Sequence, residues 1–204
     1  MGFGLGGRRD DGAPTGAQLV GTREAARRRL CVVGGLTLMV AACGSPQLPA
    51  GSAPCPRIAI LADGADLTRF RGGAARDLTA RTLDARIAGF NARCDYAGSD
   101  RRALEVRITP RFEAERGPAA EGRSADLPWF VALSDAADTR LFARVAQSTP
   151  VTFPPNVQRA EAVGRPVQVV VPLPEGRRAA DYVLRLSFQL TPEELALNRQ
   201  RGPR

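Results

Sequence analysis

Two stretches of the chain alternate apolar and polar residues with a period of two, the pattern of half-buried β-strands. They are ALEVRITPRFEAERG, residues 103–117, and DYVLRLSFQL, residues 181–190. The inward positions are Leu104, Val106, Ile108, Phe112 and Ala114 in the first stretch, and Tyr182, Leu184, Leu186, Phe188 and Leu190 in the second. Pro110 interrupts the first stretch and cannot donate to a ladder, which predicts an edge position or a bulge there.

Five further segments are strand candidates because apolar residues recur between turn-forming residues. They cover residues 57–62, 82–97, 128–134, 140–146 and 166–172. The apolar phase of 82–97 changes at Gly89, which predicts a β-bulge. About seven short strands with turns between them predict an all-β protein, an antiparallel β-sandwich of immunoglobulin-like architecture.

One helix is predicted at the C-terminal end. In TPEELALNRQR, Thr191 is a suitable N-cap, Pro192 occupies the first helical position and Glu194 completes a capping box. Elsewhere the helical pattern is weak, although residues 67–83 have room for one helical turn. The sequence therefore predicts a sandwich followed by a short helix.

A different pattern occupies the N-terminal region. Arginines at 27–29 precede an apolar run at 30–42, which ends in Val40-Ala41-Ala42-Cys43. The run is shorter than the roughly 20 residues that span a bilayer. A basic flank, a short apolar core and small exit residues are the parts of a secretory signal peptide. The alternative, a buried helix with Cys43 in the core, would need all three features to coincide by chance.

The exit residues resemble a bacterial lipobox. The resemblance implies that Cys43 receives a diacylglyceryl group and becomes the first residue after residues 1–42 are removed. The first 19 residues are long for the basic flank, so a start at Val20 is a further hypothesis. Residues 43–54, small and proline-rich, predict a flexible tether, and 55–204 a single sandwich domain.

The charge of the chain does not change the predicted fold or function. The chain carries 29 basic residues, all arginine, and a formal net charge of +8. Acids alternate with these arginines, as in EVRITPRFEAER, which is typical of a solvated face. A nucleic-acid partner would require a clustered basic face or stacking aromatics, and none is expected.

Two cysteines remain in the expected domain. Cys55 and Cys94 form an even pair in an exported protein, which predicts a disulfide. A metal pair or a reactive thiol is weakly supported, since the chain has no histidine. No cofactor or metal site is predicted.

Catalytic motifs are missing from the sequence. Without histidine, the usual triads and histidine–metal sites cannot form. Carboxylate pairs occur at 63/66, 135/138 and 193/194, where predicted turns or a helix cap explain them. Trp129 and Phe130 are adjacent, so they point to opposite faces of a strand and one of them could mark a contact surface. The alternative is that Trp129 lies in the core and a loop covers Phe130.

The segments CPRIAIL, ERGPAAE, PWFVALS and FQLTPEELALNR, in this order behind the lipobox, resemble a family of alphaproteobacterial lipoproteins to which no activity is attached. The resemblance implies an envelope location. Gly44 after the cysteine favours the outer membrane, with the domain facing the periplasm. The expected function is a non-catalytic binding or assembly module, held by acyl chains and contacting an envelope protein; the alternative is a carboxylate-dependent hydrolase of cell-wall glycan.

Overall fold

The computed structural model describes residues 53–72 and 76–202. The expected signal peptide, Cys43 and most of the tether lie outside the described residues. Within them the chain forms nine strands and one α-helix. The strands are β1 (Arg57–Ile60), β2 (Asp66–Phe70), β3 (Arg81–Tyr96), β4 (Ala103–Arg116), β5 (Ser124–Asp135), β6 (Leu141–Thr152), β7 (Arg159–Val163), β8 (Val167–Pro172) and β9 (Tyr182–Phe188), and the helix is α1 (Pro192–Arg201).

The strands form two sheets, so the predicted all-β sandwich is confirmed. Sheet 1 has the order β1-β9-β5-β6. Sheet 2 has the order β2-β3-β4, and β7 and β8 then pair one after the other along the remaining side of β4. The first strand pairs with the last in parallel, while the other pairs are antiparallel. The buried apolar side chains of both sheets form a single core between them.

Strand β4 is the centre of sheet 2. All five of its predicted inward residues are buried, which confirms the alternation of 103–117. The strand pairs on both sides, so the edge position predicted for Pro110 is wrong. Instead, Gly164 N–H donates to the Pro110 carbonyl at 2.9 Å, between the end of β7 and the start of β8. Because the N and O of a strand residue point to the same side, the missing donor of Pro110 faces this break in the neighbouring strand.

Other local predictions are also confirmed. The register of β3 against β4 shifts between Ile87 and Gly89, which is the predicted bulge. The Thr191 side chain accepts from Glu194 N–H and the Glu194 carboxylate accepts from Thr191 N–H, which is the predicted capping box. A 3-10 turn at Leu78–Ala80 supplies the helical turn expected within 67–83.

Two strands were not predicted, and two others are longer than expected. The sequence analysis missed β2 and β7, each five residues long. Strands β5 and β6 have 12 residues each and extend beyond the predicted segments 128–134 and 140–146. Strands β3, with 16 residues, and β4, with 14, match the predicted segments 82–97 and 103–117. Long strands allow the two sheets to share one continuous core.

Trp129 lies at the contact between the sheets. Its side chain is fully buried, and its indole N–H donates to Thr149 Oγ1 on β6 at 2.9 Å. The ring of Phe112 from sheet 2 lies 6.0 Å away. Gly164 approaches the indole so closely that a Cβ there would lie 3.2 Å from Cζ2. These contacts fix the separation of the sheets at this point.

The Cys55–Cys94 disulfide is confirmed, with the Cα atoms 5.4 Å apart. Cys55 precedes β1 of sheet 1, and Cys94 lies on β3 of sheet 2. The bridge therefore joins the entry of the domain to the opposite sheet.

Candidate functional site

The adjacent aromatic residues of β5 lie on opposite faces, as strand geometry requires. Trp129 belongs to the core, so it takes no part in an exposed contact surface, and that part of the expectation is corrected. Phe130 lies on the outer face of sheet 1 and is half-buried. An arginine side chain covers it rather than a loop: the guanidinium carbon of Arg144, on β6, lies 4.2 Å from the ring centroid. Of these two aromatic residues, Phe130 alone remains a candidate for surface contact.

Arg144 belongs to the edge strand of sheet 1. Among the described residues, β6 pairs with β5 alone, and the first eight residues of β6 are mostly exposed. At 12 residues it is much longer than the other edge strands, β1, β2, β7 and β8, which have four to six residues. We refer to residues 141–148 of β6 as the open edge. Long uncovered edges are unusual in natural sandwiches because they invite pairing with another chain.

The register identifies which backbone groups of the open edge are free. Phe153 N–H donates to the Arg123 carbonyl at 2.7 Å, and the pairing continues without a shift from Ser124–Thr152 to Leu133–Ala143. In an antiparallel ladder, hydrogen-bonded and non-hydrogen-bonded pairs alternate. Counting back from Phe153, the odd-numbered residues of β6 bond to β5. The even-numbered residues Arg144, Ala146 and Ser148 therefore direct their N–H and C=O groups away from the sheet.

Exposed apolar side chains concentrate on this side of the sandwich, where β6 lies against β7 and β8. Seven large apolar side chains of the described residues are exposed, and four of them belong to these three strands. Leu141 and Phe142 are 60% and 37% exposed on β6, and Val163 and Val170 are 64% and 55% exposed on β7 and β8. Leu141 and Phe142 are neighbours on β6 and belong to the open edge, whereas Val163 and Val170 belong to sheet 2.

The charge of the open edge is positive. The Arg140 guanidinium lies 5.1 Å from the ring centroid of Phe142, and Arg144 covers Phe130. Arg165 lies in the break between β7 and β8. None of these three arginines forms an ion pair with a carboxylate of the described residues. This side therefore carries three positive charges that no acid of the described residues neutralises.

A second surface feature is a shallow groove of about 540 Å³ on the outer face of sheet 2. Arg81 donates to both Asp84 and Glu115, at 3.3 and 2.7 Å, and Arg86 contacts Glu113 at 2.8 Å. Cross-strand pairs of this kind stabilise a sheet. The groove carboxylates Asp84, Glu113 and Glu115 are thus held by arginines, although the buried Nε of Arg81 has no hydrogen-bond partner among the described residues.

The carboxylate pair at 135/138 has a local structural role in the β5–β6 turn. Asp135 accepts from Thr139 and Arg140 N–H groups in the β5–β6 turn. Asp138 accepts from Arg185 and Ser134, and these hydrogen bonds lower the pKa of its carboxyl group. Hydrogen bonding also lowers the pKa of Asp135, chiefly through the Thr139 hydroxyl. A general acid needs the opposite shift at neutral pH.

No group of three histidine, cysteine or acidic residues among the described residues is arranged to hold a metal ion. No helix in the described part of the chain is both long and apolar enough to cross a membrane.

Comparison of the chain with protein-family models, curated proteins and solved structures found no match. The structure itself defines the class of protein. It is a disulfide-bridged β-sandwich with one long open edge. The sequence analysis identified Phe130 but missed Leu141, Phe142 and Arg144 as parts of the same surface. The available indication was the segment RLFARVA, which carries two arginines and no acid.

Proposed function

We propose that the protein is a lipid-anchored module of the bacterial cell envelope, which binds another envelope protein and catalyses no reaction. The observation that carries the proposal is the open edge. It combines free backbone groups, exposed apolar side chains and unpaired arginines on one side of the sandwich. Such a combination favours a protein contact.

The anchor rests on the sequence of residues 27–43, and the disulfide supports export, because such bridges persist in oxidising compartments such as the periplasm. Attachment through Cys43 would hold the domain near membrane-bound partners and raise their effective concentration. Two or three acyl chains make such attachment durable. The neighbouring Gly44 favours the outer membrane, with the domain in the periplasm.

A carboxylate-dependent glycan hydrolase, the alternative function, has less support. Its acid and base would have to come from carboxylates in a cleft. In the groove on sheet 2, Asp84, Glu113 and Glu115 are held in ion pairs with arginines.

Site-specific photo-crosslinking tests the binding role. A photoreactive amino acid replaces Leu141 on the open edge in the full-length protein, expressed in its native membrane. The matched control replaces Arg93, which is exposed on β3 of sheet 2. We expect a protein adduct of defined mass from position 141 and none from position 93. Equal adducts at both positions, or none at either, would contradict the proposal.

Fractionation tests the anchor separately. Cys43→Ser should leave an unprocessed or soluble protein, and labelled palmitate should be incorporated only by the wild type. A Cys43→Ser protein that fractionates with membranes at the mature size would show that Cys43 is not the lipidation site.

A further inference from the structure

We propose that the open edge accepts an extended acidic segment of the partner protein as an additional strand of sheet 1. The inference rests on the proposed binding function and specifies its chemistry. Strand addition uses main-chain hydrogen bonds for affinity and alternate side chains for specificity. Both requirements can be derived from the register of β6.

The backbone part of the site has a defined length. Arg144, Ala146 and Ser148 present N–H and C=O groups that bond to no other described backbone group, with the two-residue spacing that an added strand requires. The next outward-facing position is Pro150, which has no N–H. The ladder with a partner strand is thus complete over residues 144–148 and loses a donor beyond them.

The side chains of the added strand must alternate in chemistry. A residue opposite Arg144 would place its side chain on the outer face of sheet 1, beside a guanidinium group with no carboxylate partner. A residue opposite Val145 would face the other way, where Val145 packs against the core. Cross-strand neighbours interact directly. The open edge is therefore complementary to a segment in which acidic and apolar residues alternate.

The same charges argue against a second copy of this chain. Antiparallel pairing of two β6 edges over residues 144–148 would place Arg144 of each copy opposite Ser148 of the other. The segment 140–148, RLFARVAQS, contains no acid that could meet the guanidinium groups. A second copy would therefore leave Arg144 without a carboxylate, whereas an acidic segment would supply one across the strands.

A membrane surface fits the geometry less well than a peptide. Arg144 lies on the outer face of sheet 1, whereas Val170 lies on the outer face of sheet 2, because its neighbours Val169 and Val171 are buried in the core. These side chains point in opposite directions and cannot meet one plane together. Lipid also cannot complete a ladder of backbone hydrogen bonds.

Peptide binding to the full-length protein in detergent tests the inference. The probe is a fluorescent peptide of alternating glutamate and valine, about eight residues long, an ordinary strand length. Ala146→Pro removes one outward N–H without touching a bond to β5, and Ala146→Ser is its matched control. We expect Ala146→Pro to weaken binding by about tenfold or more and Ala146→Ser by less than about twofold.

A charge variant provides a second test that does not depend on proline. Arg144→Glu should weaken binding of the glutamate peptide and strengthen binding of the corresponding lysine–valine peptide. Thermal melting of each variant checks that the fold is kept. Equal affinities for Ala146→Pro and Ala146→Ser would overturn strand addition. A second result would also overturn it: wild-type protein that binds phosphatidylglycerol vesicles but not the peptide, with vesicle binding abolished by Arg144→Glu.

The two proposals fail in distinguishable ways. If position 141 crosslinks to a partner but the glutamate peptide does not bind, strand addition is overturned and the binding role stands; Arg144 and Pro150 would then serve to prevent pairing. If the peptide binds but position 141 forms no adduct in the native membrane, the binding role is overturned.

Discussion

Removing the disulfide should destabilise the domain by a calculable amount. The bridge closes a loop between residues separated by 39 positions, and it joins the chain before β1 to β3 of the other sheet. In the loop-closure treatment, a bridge over about 40 residues stabilises the folded state by about 4 kcal/mol at 25 °C, by restricting the unfolded chain. For a domain of about 150 residues, each kcal/mol shifts the melting temperature by about 2–4 °C. The expected fall is roughly 8–16 °C.

Calorimetry of three forms measures this fall: the oxidised protein, the reduced protein and the Cys55→Ala/Cys94→Ala variant. Cys94 is buried, so its replacement also changes packing, and the reduced wild type controls for that change. The reduced protein and the variant should melt at nearly the same temperature, both well below the oxidised form. A fall of less than about 3 °C on reduction would refute the loop-entropy reasoning.

Three further predictions concern the core and the β5–β6 turn. Trp129→Phe removes the hydrogen bond to buried Thr149 and should cost about 1–3 kcal/mol of unfolding free energy, measured in urea. Gly164→Ala places a Cβ 2.6 Å from a proline ring and should cost about 1–3 kcal/mol, whereas Gly122→Ala, which meets open space, should change stability by less than about 0.5 kcal/mol. The pKa of Asp138 is lowered in the folded protein, so its carboxylate stabilises the fold at pH values above the pKa of the unfolded chain. This stability is lost as the pH falls through the pKa of the folded protein. Asp138→Asn should therefore flatten the acid limb of a plot of melting temperature against pH. An unchanged acid limb would show that the carboxylate does not contribute.

Period-two alternation predicted the strands that have one apolar and one polar face. Strand β4 is the clearest case, because its outward residues are charged and pair with neighbouring strands. Strand β9 shows a limit of this reasoning. It lies between β1 and β5, and both Val183 and Ser187 on its outer face are buried. The alternating pattern correctly predicted the residues on the inner face of β9. Its outer face is buried by residues distant in sequence, which a local pattern does not reveal.

Short strands were missed for a related reason. Strand β7, RAEAV, carries small and charged residues with little apolar contrast, and it is a strand because β4 offers a free side there. Strand β2 is short and buried at its first three positions, so its pattern differs from a half-buried strand. In both cases the partner strand, rather than the local sequence, determines the conformation.

The candidate surface was predicted only in part, again because pairing decides exposure. Alternation requires Trp129 and Phe130 to face opposite ways, but it does not say which of them is buried. The choice follows from Thr149, 20 positions away, which accepts the indole N–H. Whether a strand lies at an edge is a property of the sheet order, so the two arginines and the missing acid of RLFARVA could not by themselves identify β6 as an edge strand.

The two lateral sides of the sandwich differ in how their edges are protected, and this difference is the strongest structural reason to regard β6 as a contact. On one side, the Asn198 side chain of α1 donates to the carbonyls of Asp63 and Asp66 at 2.8 Å, so the helix covers the start of β2. On the other side, sheet 2 ends in two strands of five and six residues with a break between them, and short or broken edges resist pairing. Within the described part of the chain, β6 has neither protection over residues 141–148. An edge of this length that remained unoccupied would be a hazard for aggregation, and occupation by a partner strand would remove the hazard while using the free groups of Arg144, Ala146 and Ser148.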